Sequence, residues 1–221
     1  MRHVRHLAAA SLLAALALGA AAPGARAEAV ELGAYPLDAL ARSVPPKGKM
    51  VCPKVDLVTY RGDVVRYSHA LTVTPPFVER LRRFEAVAAE VGARLFGRPP
   101  KSIRHMGGFY CRRIARYPDL LSEHGIGNAI DVTSFAFAPL PKGAAAPAEL
   151  PRRFRRGFDV VLARDWDEDP EATALTARFL RELTEALVAR DDIFRVLLGP
   201  AYPGHKDHFH FDVAPYRLVV L

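Results

Sequence analysis

Three histidines, His205, His208 and His210, stand within six residues of one another near the end of the sequence. If this segment is a β-strand, then His208, His210 and Asp212 share one face, because successive side chains of a strand point to opposite faces. The phenylalanines between them, such as Phe209, then share the other face. Imidazoles side by side above an aromatic face can bind a metal or transfer protons. Three histidines this close favour such a site over an exposed polar face.

A second cluster precedes them, between Ser122 and Asp131. His124 and Asp131 are too far apart for one helical turn, but a loop that folds back through two glycines can bring them to one ion. Asp131 lies among apolar neighbours, and burial of a lone carboxylate is costly unless a cation compensates it. Catalytic zinc sites take three protein ligands and a water. His124, Asp131 and one C-terminal histidine satisfy that number, whereas Glu123 is expected to point away from His124.

Two helices are predicted as scaffold for these residues. Between Pro76 and Phe96 apolar residues recur at intervals of three and four, and Gly97 follows, which is typical of an amphipathic helix and its end. A second helix is predicted to run to about Ala189. Asp169 is its expected N-cap and Pro170 fits its first turn.

Short runs rich in β-branched and aromatic residues predict strands. The predicted strands are Val55–Tyr60, Ala70–Val73, two arms around a Gly-Gly turn within Lys101–Arg113, Ala129–Val132, Ile193–Leu198 and His208–Val213. This order of elements predicts an α+β domain, in which an antiparallel sheet carries the zinc site and the helices pack to one side.

The first residues resemble a secretory signal peptide, predicted over residues 1–27. Arg2 and Arg5 precede an Ala/Leu run over residues 7–22, and Ala-Arg-Ala at 25–27 fits a cleavage site. The sequence therefore predicts an exported protein, periplasmic or extracellular. No later stretch is long and apolar enough to be a transmembrane segment.

Removal of this peptide leaves 194 of the 221 residues and lowers the formal net charge from +7 to +4. That length fits one domain, predicted at 51–221 and preceded by an extended lead-in at 28–50. So small a charge surplus is not a nucleic-acid footprint, but it suits an anionic polymer such as a bacterial cell wall. The Ala/Pro/Gly-rich and then Arg-rich segment 138–157 is predicted as a surface loop. A solvated basic loop is the favoured interpretation, and a loop that gates the site or binds such a polymer is the alternative.

Cys52 and Cys111 are the cysteines of the sequence. In an exported protein one disulfide is expected, and it would close a loop of about 60 residues worth roughly 4 kcal/mol. Two free or zinc-binding thiols are the alternative, which the absence of C-x-x-C spacing disfavours.

The motif S-x-H-x-x-G-x-A-x-D over residues 122–131 resembles the first signature of the lysostaphin/D-Ala-D-Ala metallopeptidase/hedgehog-type zinc fold. The H-x-H of His208 and His210 resembles its second signature. Over about residues 50–215 the chain is more closely similar to the extensin-like protein C-terminal family. The segments that carry this similarity are Ile103–His105, Gly108–Arg112, Ser122–Asp131, Asp165–Trp166, Leu198–Pro200 and His205–Asp212.

This resemblance implies roles for the matching positions. One zinc ion would be bound by His124, Asp131 and His210. The catalytic residues would be His208 as general base or transition-state stabiliser, His205 as a further active-site histidine, and Arg112, which would bind or polarise the substrate carbonyl. Either histidine can be the base, since the Glu-x-x-His of many relatives is missing here. For Arg112, a surface arginine beside a disulfide is an equal alternative.

The expected function is zinc-assisted hydrolysis of an amide bond, with peptidoglycan or its peptides as substrate. Endopeptidase and D,D-carboxypeptidase activity both fit the sequence, and the oligomeric state has no sequence signal. The alternative is a catalytically silent, zinc-stabilised module that binds the cell wall or a partner protein. His205 and His208 favour the enzyme, because a structural zinc site needs neither.

Overall fold

The structure, a computed structural model, describes residues 33–166 and 174–221. Its longest helix, α1 (Pro75–Phe96), confirms the predicted amphipathic helix, with its apolar face buried. Two prolines occupy the first turn, where an N–H would have no helical partner in any case. The helix ends at Gly97, whose φ of +72° suits glycine and whose N–H donates to the carbonyl of Ala93.

The other helices are the single turn α2 (Leu162–Asp165) and α3 (Leu175–Val188). The N-cap of α3 is Ala174, whereas the predicted N-cap Asp169 and the first-turn Pro170 lie outside the described residues. The two long helices α1 and α3 pack against each other.

The strands, in chain order, are β1 (Val58–Tyr60), β2 (Arg66–Tyr67), β3 (Leu71–Val73), β4 (Ser102–Gly107), β5 (Arg113–Ile114), β6 (Tyr117–Leu121), β7 (Ala129–Phe137), β8 (Phe158–Val161), β9 (Val196–Leu198), β10 (Phe209–Asp212) and β11 (Leu218–Val220). The main sheet has the order β11–β9–β10–β7–β4–β2, and β8 also pairs with β7. Strands β1 and β3 form a separate antiparallel pair, and so do β5 and β6.

The predicted antiparallel sheet is correct for its centre and wrong for its edges. Strand β7 is antiparallel to β4, β8 and β10, and β10 is antiparallel to β9. Strands β2 and β4 are parallel, however, and so are β9 and β11. The connection from β2 to β4 contains α1, and such a crossover is what a parallel pair requires. The fold is therefore a mixed α+β domain.

The second arm of the predicted Gly-Gly hairpin is also wrong, because β4 ends at Gly107 and the next residues are irregular. Their amides have partners elsewhere: the N–H of Phe109 donates to the carbonyl of Thr72, and that of Tyr110 to the carbonyl of His124. These bonds bring the residues after β4 to the loop that carries His124.

The core is rich in stacked aromatic rings on one face of the sheet. Phe211 of β10 contacts Phe84 of α1, with ring centroids 5.7 Å apart, and Phe194, with centroids 5.0 Å apart. Phe209 and Phe211 are fully buried, so the alternation predicted for this strand is correct. The opposite face of β10 is left for His210.

Residues 33–50 precede the first strand and are irregular apart from a turn at 36–39 and one bridge between Ser43 and Leu120. The signal peptide predicted at 1–27 lies outside the described residues. Within 33–166 and 174–221, each helix is too short or too polar to cross a bilayer.

Candidate metal centre

Two neighbouring strands bring the first two predicted ligands together. Asp131 of β7 and His210 of β10 are register partners. Their side chains emerge on the same face, and the Nδ1 atom of His210 lies 2.9 Å from Oδ1 of Asp131. The pairing of β7 with β10 therefore places a carboxylate and an imidazole side by side.

The third predicted ligand comes from the 3-10 turn Glu123–Ile126, just before β7. The Nε2 atom of His124 lies 3.1 Å from Oδ1 of Asp131 and 3.2 Å from Nδ1 of His210. Gly127 ends the turn with a φ of +63°, a backbone conformation that favours glycine. A side chain there would begin 2.6 Å from Cδ2 of Leu57, so this glycine also allows close packing.

The outer nitrogens of both imidazoles are held by acceptors. Nδ1 of His124 lies 2.5 Å from the carbonyl oxygen of Gly108, and Nε2 of His210 lies 2.7 Å from Oδ2 of Asp212. Nδ1 of His124 therefore carries the proton in the neutral ring and leaves a lone pair on Nε2. Both nitrogens of His210 face carboxylates, so its Nδ1 presents a lone pair when the ring is neutral and the proton is on Nε2. Second partners of this kind fix the tautomer and orientation of metal-binding histidines.

Three potential ligand atoms, two imidazole nitrogens and one carboxylate oxygen, thus face one another at 2.9–3.2 Å. A tetrahedral zinc site with ligand bonds of about 2.0–2.2 Å has donor separations of about 3.3–3.6 Å. All three side chains are buried. The donor set and its spacing therefore fit a zinc ion after an adjustment of a few tenths of an ångström.

The electrostatics of this group also suit a cation. Burial raises the pKa of Asp131, but hydrogen bonds and charge from His124 and His210 outweigh it and lower that pKa. For His210, burial lowers the pKa, but the carboxylates of Asp131 and Asp212 outweigh it and raise the pKa to about 9. A positive charge among these groups is thus favoured, and a proton or a metal ion can supply it.

A cavity of about 560 Å³ opens beside this group. The predicted catalytic residues line it together with two of the candidate ligands. Five of the residues predicted for the site line the cavity: Arg112, His205, His208, Asp131 and His210. The structure thus brings all six residues predicted for the site into one region, while their catalytic roles stay predictions.

The two further histidines lie next to each other on the cavity. The ring centroids of His205 and His208 are 4.7 Å apart, and those of His205 and His210 are 5.9 Å apart. Burial, followed by the charges of His208 and His210, lowers the pKa of His205, so its ring is neutral at neutral pH. Nδ1 of His208 lies 2.8 Å from Oδ1 of Asp207, which leaves Nε2 of His208 free to act.

Arg112 reaches the group of candidate ligands from a different segment. Its guanidinium lies 3.8 Å from Oδ2 of Asp131, and its side chain is 42% exposed. It can therefore donate to a group bound in the cavity while it remains close to the ligand carboxylate. Arg112 thus lines the cavity beside Asp131, and its two predicted interpretations stay open.

A buried polar network behind His124 has no sequence signal. Glu123, which the sequence analysis left out of the site, is buried, and it accepts hydrogen bonds from Arg42 (2.9 Å) and Asn128 (2.6 Å). The hydroxyl of Tyr35 donates to Oδ1 of Asn128. Burial raises the pKa of Glu123, while Arg42 opposes that shift. Arg42 and Tyr35 come from the segment before β1, and long separation along the chain hides such pairs from sequence analysis.

The predicted disulfide between Cys52 and Cys111 is confirmed, with Cα atoms 5.8 Å apart. Cys111 directly precedes Arg112, and a side chain at Gly125 would begin 3.0 Å from Sγ of Cys52. The disulfide therefore packs against the loop that carries His124 and fixes the start of the segment that carries Arg112.

In a comparison with protein families, the family described as Extensin-like protein C-terminus matches residues 31–141, half of the chain. The matched range contains both cysteines, Arg112, His124 and Asp131, and it ends before the three C-terminal histidines. Searches of curated proteins and of solved structures found no match.

Proposed function

Since this chain belongs to the extensin-like protein C-terminus family, we propose that it is an exported zinc-dependent peptidase that hydrolyses an amide bond in peptidoglycan peptides. We place it in the lysostaphin/D-Ala-D-Ala metallopeptidase/hedgehog-type superfamily, on the two signatures at Ser122–Asp131 and at His208–His210. Residues 1–27 support a periplasmic or extracellular location.

The observation that carries this proposal is the arrangement of His124, Asp131 and His210. Two imidazole lone pairs and a carboxylate oxygen converge within 3.2 Å of one another. Such a group is electrostatically unfavourable without a cation or a proton, and it stands beside a cavity large enough for part of a peptide. A zinc ion held there would act as a Lewis acid toward a carbonyl and lower the pKa of a water.

The residues around the cavity supply the remaining functions. Arg112 can donate hydrogen bonds to the oxygen of the scissile carbonyl and stabilise the negative charge that develops on it. His208 donates from Nδ1 to Asp207, so its Nε2 can accept a proton and later return it to the leaving amine. His205, with its lowered pKa, is a neutral neighbour that can relay the same proton. Endopeptidase and carboxypeptidase action are both compatible with these roles.

The alternative, a silent binding module with structural zinc, needs a closed site. Structural zinc sites have four protein ligands, whereas catalytic sites keep one position open. In the described part of the chain, the candidate group has three members, and two of them line the cavity. This open side, together with His205 and His208, favours the enzyme.

The deciding experiment measures zinc content and peptidoglycan hydrolysis of the protein without residues 1–27. We expect one zinc per chain and release of peptides that a chelator abolishes and added zinc restores. His124→Ala and Asp131→Ala should each lose both properties. His69→Ala removes an exposed histidine outside the cavity and should keep both.

Each result has a defined meaning. Hydrolysis that survives in Asp131→Ala would contradict the zinc mechanism. Bound zinc without cleavage of any peptidoglycan preparation would favour the binding module. Mass analysis of the released peptides would name the bond and so distinguish an endopeptidase from a carboxypeptidase.

A further inference from the structure

Three arginines line the cavity, and they differ in whether their charge is already balanced. Arg42 is paired with the buried Glu123 at 2.9 Å, and Arg112 lies 3.8 Å from Asp131. Arg116 has no carboxylate within 4.0 Å among the residues that the structure describes. It is thus the cavity arginine whose charge remains available to a ligand.

The position of Arg116 directs that charge toward the site. Arg116 lies in the turn between β5 and β6, and its guanidinium carbon is 5.9 Å from the ring centroid of Tyr202, on the loop before β10. The Tyr202 ring in turn contacts the ring of His205, with centroids 5.2 Å apart. A guanidinium, an aromatic ring and an imidazole therefore follow one another along the cavity.

The acidic groups of the cavity cannot balance Arg116, since each has partners of its own. Asp131 contacts His124 and His210, Asp212 accepts from His210, and Glu123 is paired with Arg42. A carboxylate of a bound molecule could therefore pair with Arg116 without displacing an ion pair that the described residues already form.

Much of the remaining lining is apolar or aromatic, including Leu198, Tyr216 and Leu218. This wall offers apolar contacts to a bound peptide, while Arg116 itself stays exposed to solvent. A guanidinium offers two parallel N–H donors that match the two oxygens of a carboxylate, so a carboxylate is the anion that Arg116 fits in a peptide.

We propose that Arg116, supported by Tyr202, is a specificity-determining residue that binds a carboxylate of the peptide substrate. This inference deepens the proposed function and depends on it for the peptide nature of the ligand. The carboxylate can be an acidic side chain or the free C-terminus of the peptide, since both present the same two oxygens.

The test is equilibrium binding of four fluorescently labelled tetrapeptides to the protein without residues 1–27. The peptides are Ala-Glu-Lys-Ala and Ala-Gln-Lys-Ala, each with a free or an amidated C-terminus, so each carboxylate is present or absent independently. Fluorescence anisotropy gives the dissociation constants, and mass spectrometry of the recovered probe verifies that it is intact. The variants are Arg116→Gln, Arg116→Lys and, as control, Arg61→Gln, which removes an exposed arginine that does not line the cavity.

We expect the unmodified protein to bind a peptide with one carboxylate about three- to fivefold more tightly than the peptide with none, which is the upper range for an ion pair at an exposed arginine. Which single-carboxylate peptide is preferred identifies the source of the carboxylate. Arg116→Gln should abolish the preference, Arg116→Lys should keep part of it, and Arg61→Gln should keep all of it. Because Arg116 is exposed on a turn, its variants should unfold at the same urea concentration as the parent.

Two results would overturn the proposal: equal binding of all four peptides, absence of binding included, or a preference that Arg116→Gln retains. Neither depends on hydrolysis. A protein that cleaves peptidoglycan but shows no carboxylate preference would refute this subsite alone, whereas a preference without zinc-dependent cleavage would refute the proposed activity alone.

Discussion

The Nε atom of Arg42 lies 2.9 Å from Oε1 of Glu123, the residue directly before the candidate ligand His124. Arg42 belongs to the segment that precedes β1, and its backbone carbonyl also accepts the N–H of Leu121. The ion pair and this hydrogen bond join the segment to both ends of the short stretch that leads into the His124 turn. Residues 33–50 are therefore part of the scaffold of the candidate centre.

We expect Arg42→Ala to lower the free energy of unfolding by about 3 kcal/mol, because it leaves the carboxylate of Glu123 buried without its cation. Urea denaturation monitored by circular dichroism measures the change. Arg104→Ala is the control, since Arg104 and Asp159 form an ion pair whose side chains are 48% and 37% exposed. That control should lose no more than about 1 kcal/mol. Equal losses in the two variants would show that burial of Glu123 has no special cost.

Asp212→Asn should weaken zinc binding by about 10- to 100-fold, the usual effect of removing the partner of a metal-binding histidine. The amide can keep the hydrogen bond from the N–H of Ala214, but its nitrogen cannot accept from Nε2 of His210. Competition with a chromophoric chelator measures the affinity. Asp207→Asn removes the partner of His208, which is not a predicted ligand, and should leave zinc affinity within about twofold. A zinc affinity unchanged in Asp212→Asn would argue against His210 as a ligand.

Alanine variants of two glycines with positive φ distinguish the free-energy cost of the backbone conformation from the free-energy cost of packing. Gly143 has a φ of +82° and open space around it, so Gly143→Ala should lower the free energy of unfolding by about 1 kcal/mol. Gly127 has a φ of +63°, and its new methyl group would lie 2.6 Å from Leu57 and 3.2 Å from the backbone nitrogen of Thr74. Gly127→Ala should therefore cost about 2–3 kcal/mol in the same measurement. Its affinity for zinc should fall too, because the His124 turn must shift, and equal stabilities of the two variants would contradict this explanation.

His105 should make stability depend on pH. It is buried beside Tyr67 and His69, and its Nε2 lies 3.2 Å from the carbonyl of His69. Burial lowers its pKa from 6.5 to about 4, with a smaller contribution in the same direction from the charge of His69. Between about pH 6.5 and about pH 4, the His105 side chain is protonated in the unfolded chain but not in the folded chain. The contribution of His105 is therefore complete above about pH 6.5 and is lost as the pH falls toward about 4.

The measurement is the free energy of unfolding of the parent and of His105→Gln between pH 4 and pH 8. Carboxylates produce a slope of their own in both proteins, so the informative quantity is the difference between the curves. The parent should lose more stability than the variant on acidification from pH 6.5. Parallel curves would mean that His105 titrates alike in the folded and unfolded chain.

The parts of the fold that follow local rules could be predicted from the sequence. The spacing of apolar residues indicated α1 almost to its ends, since burial of one face requires that period. The alternation along β10 indicated which face of the sheet carries His210. Successive side chains of a strand point to opposite faces, and burial of the phenylalanines on one face puts His210 on the other. The candidate ligands themselves were found because histidine and a buried aspartate are rare enough to be informative.

The contacts that depend on distant backbone could not be predicted. The acceptor of His124 is the carbonyl of Gly108, and a carbonyl is present at every residue, so no letter of the sequence marks it. The pairing of Arg42 with Glu123 spans 81 positions. The parallel pairing of β2 with β4 depends on how α1 connects the two strands, which local periodicity does not encode. Arg116 could not be singled out from the sequence for a similar reason. Its distinction is that the other two cavity arginines, Arg42 and Arg112, lie within 4.0 Å of a carboxylate, whereas Arg116 does not among the described residues.

The disulfide between Cys52 and Cys111 anchors the segment that carries Arg112 and packs against the loop that carries His124. If the enzyme is exported as proposed, the chain meets the reducing cytoplasm before it meets an oxidising compartment, and in the cytoplasm this bond does not persist. The thiol form lacks the covalent link that holds the Arg112 segment at Cys52, beside the turn that carries His124. Oxidation would then act as a maturation step, which keeps the hydrolase inefficient until it has left the compartment where its own synthesis takes place.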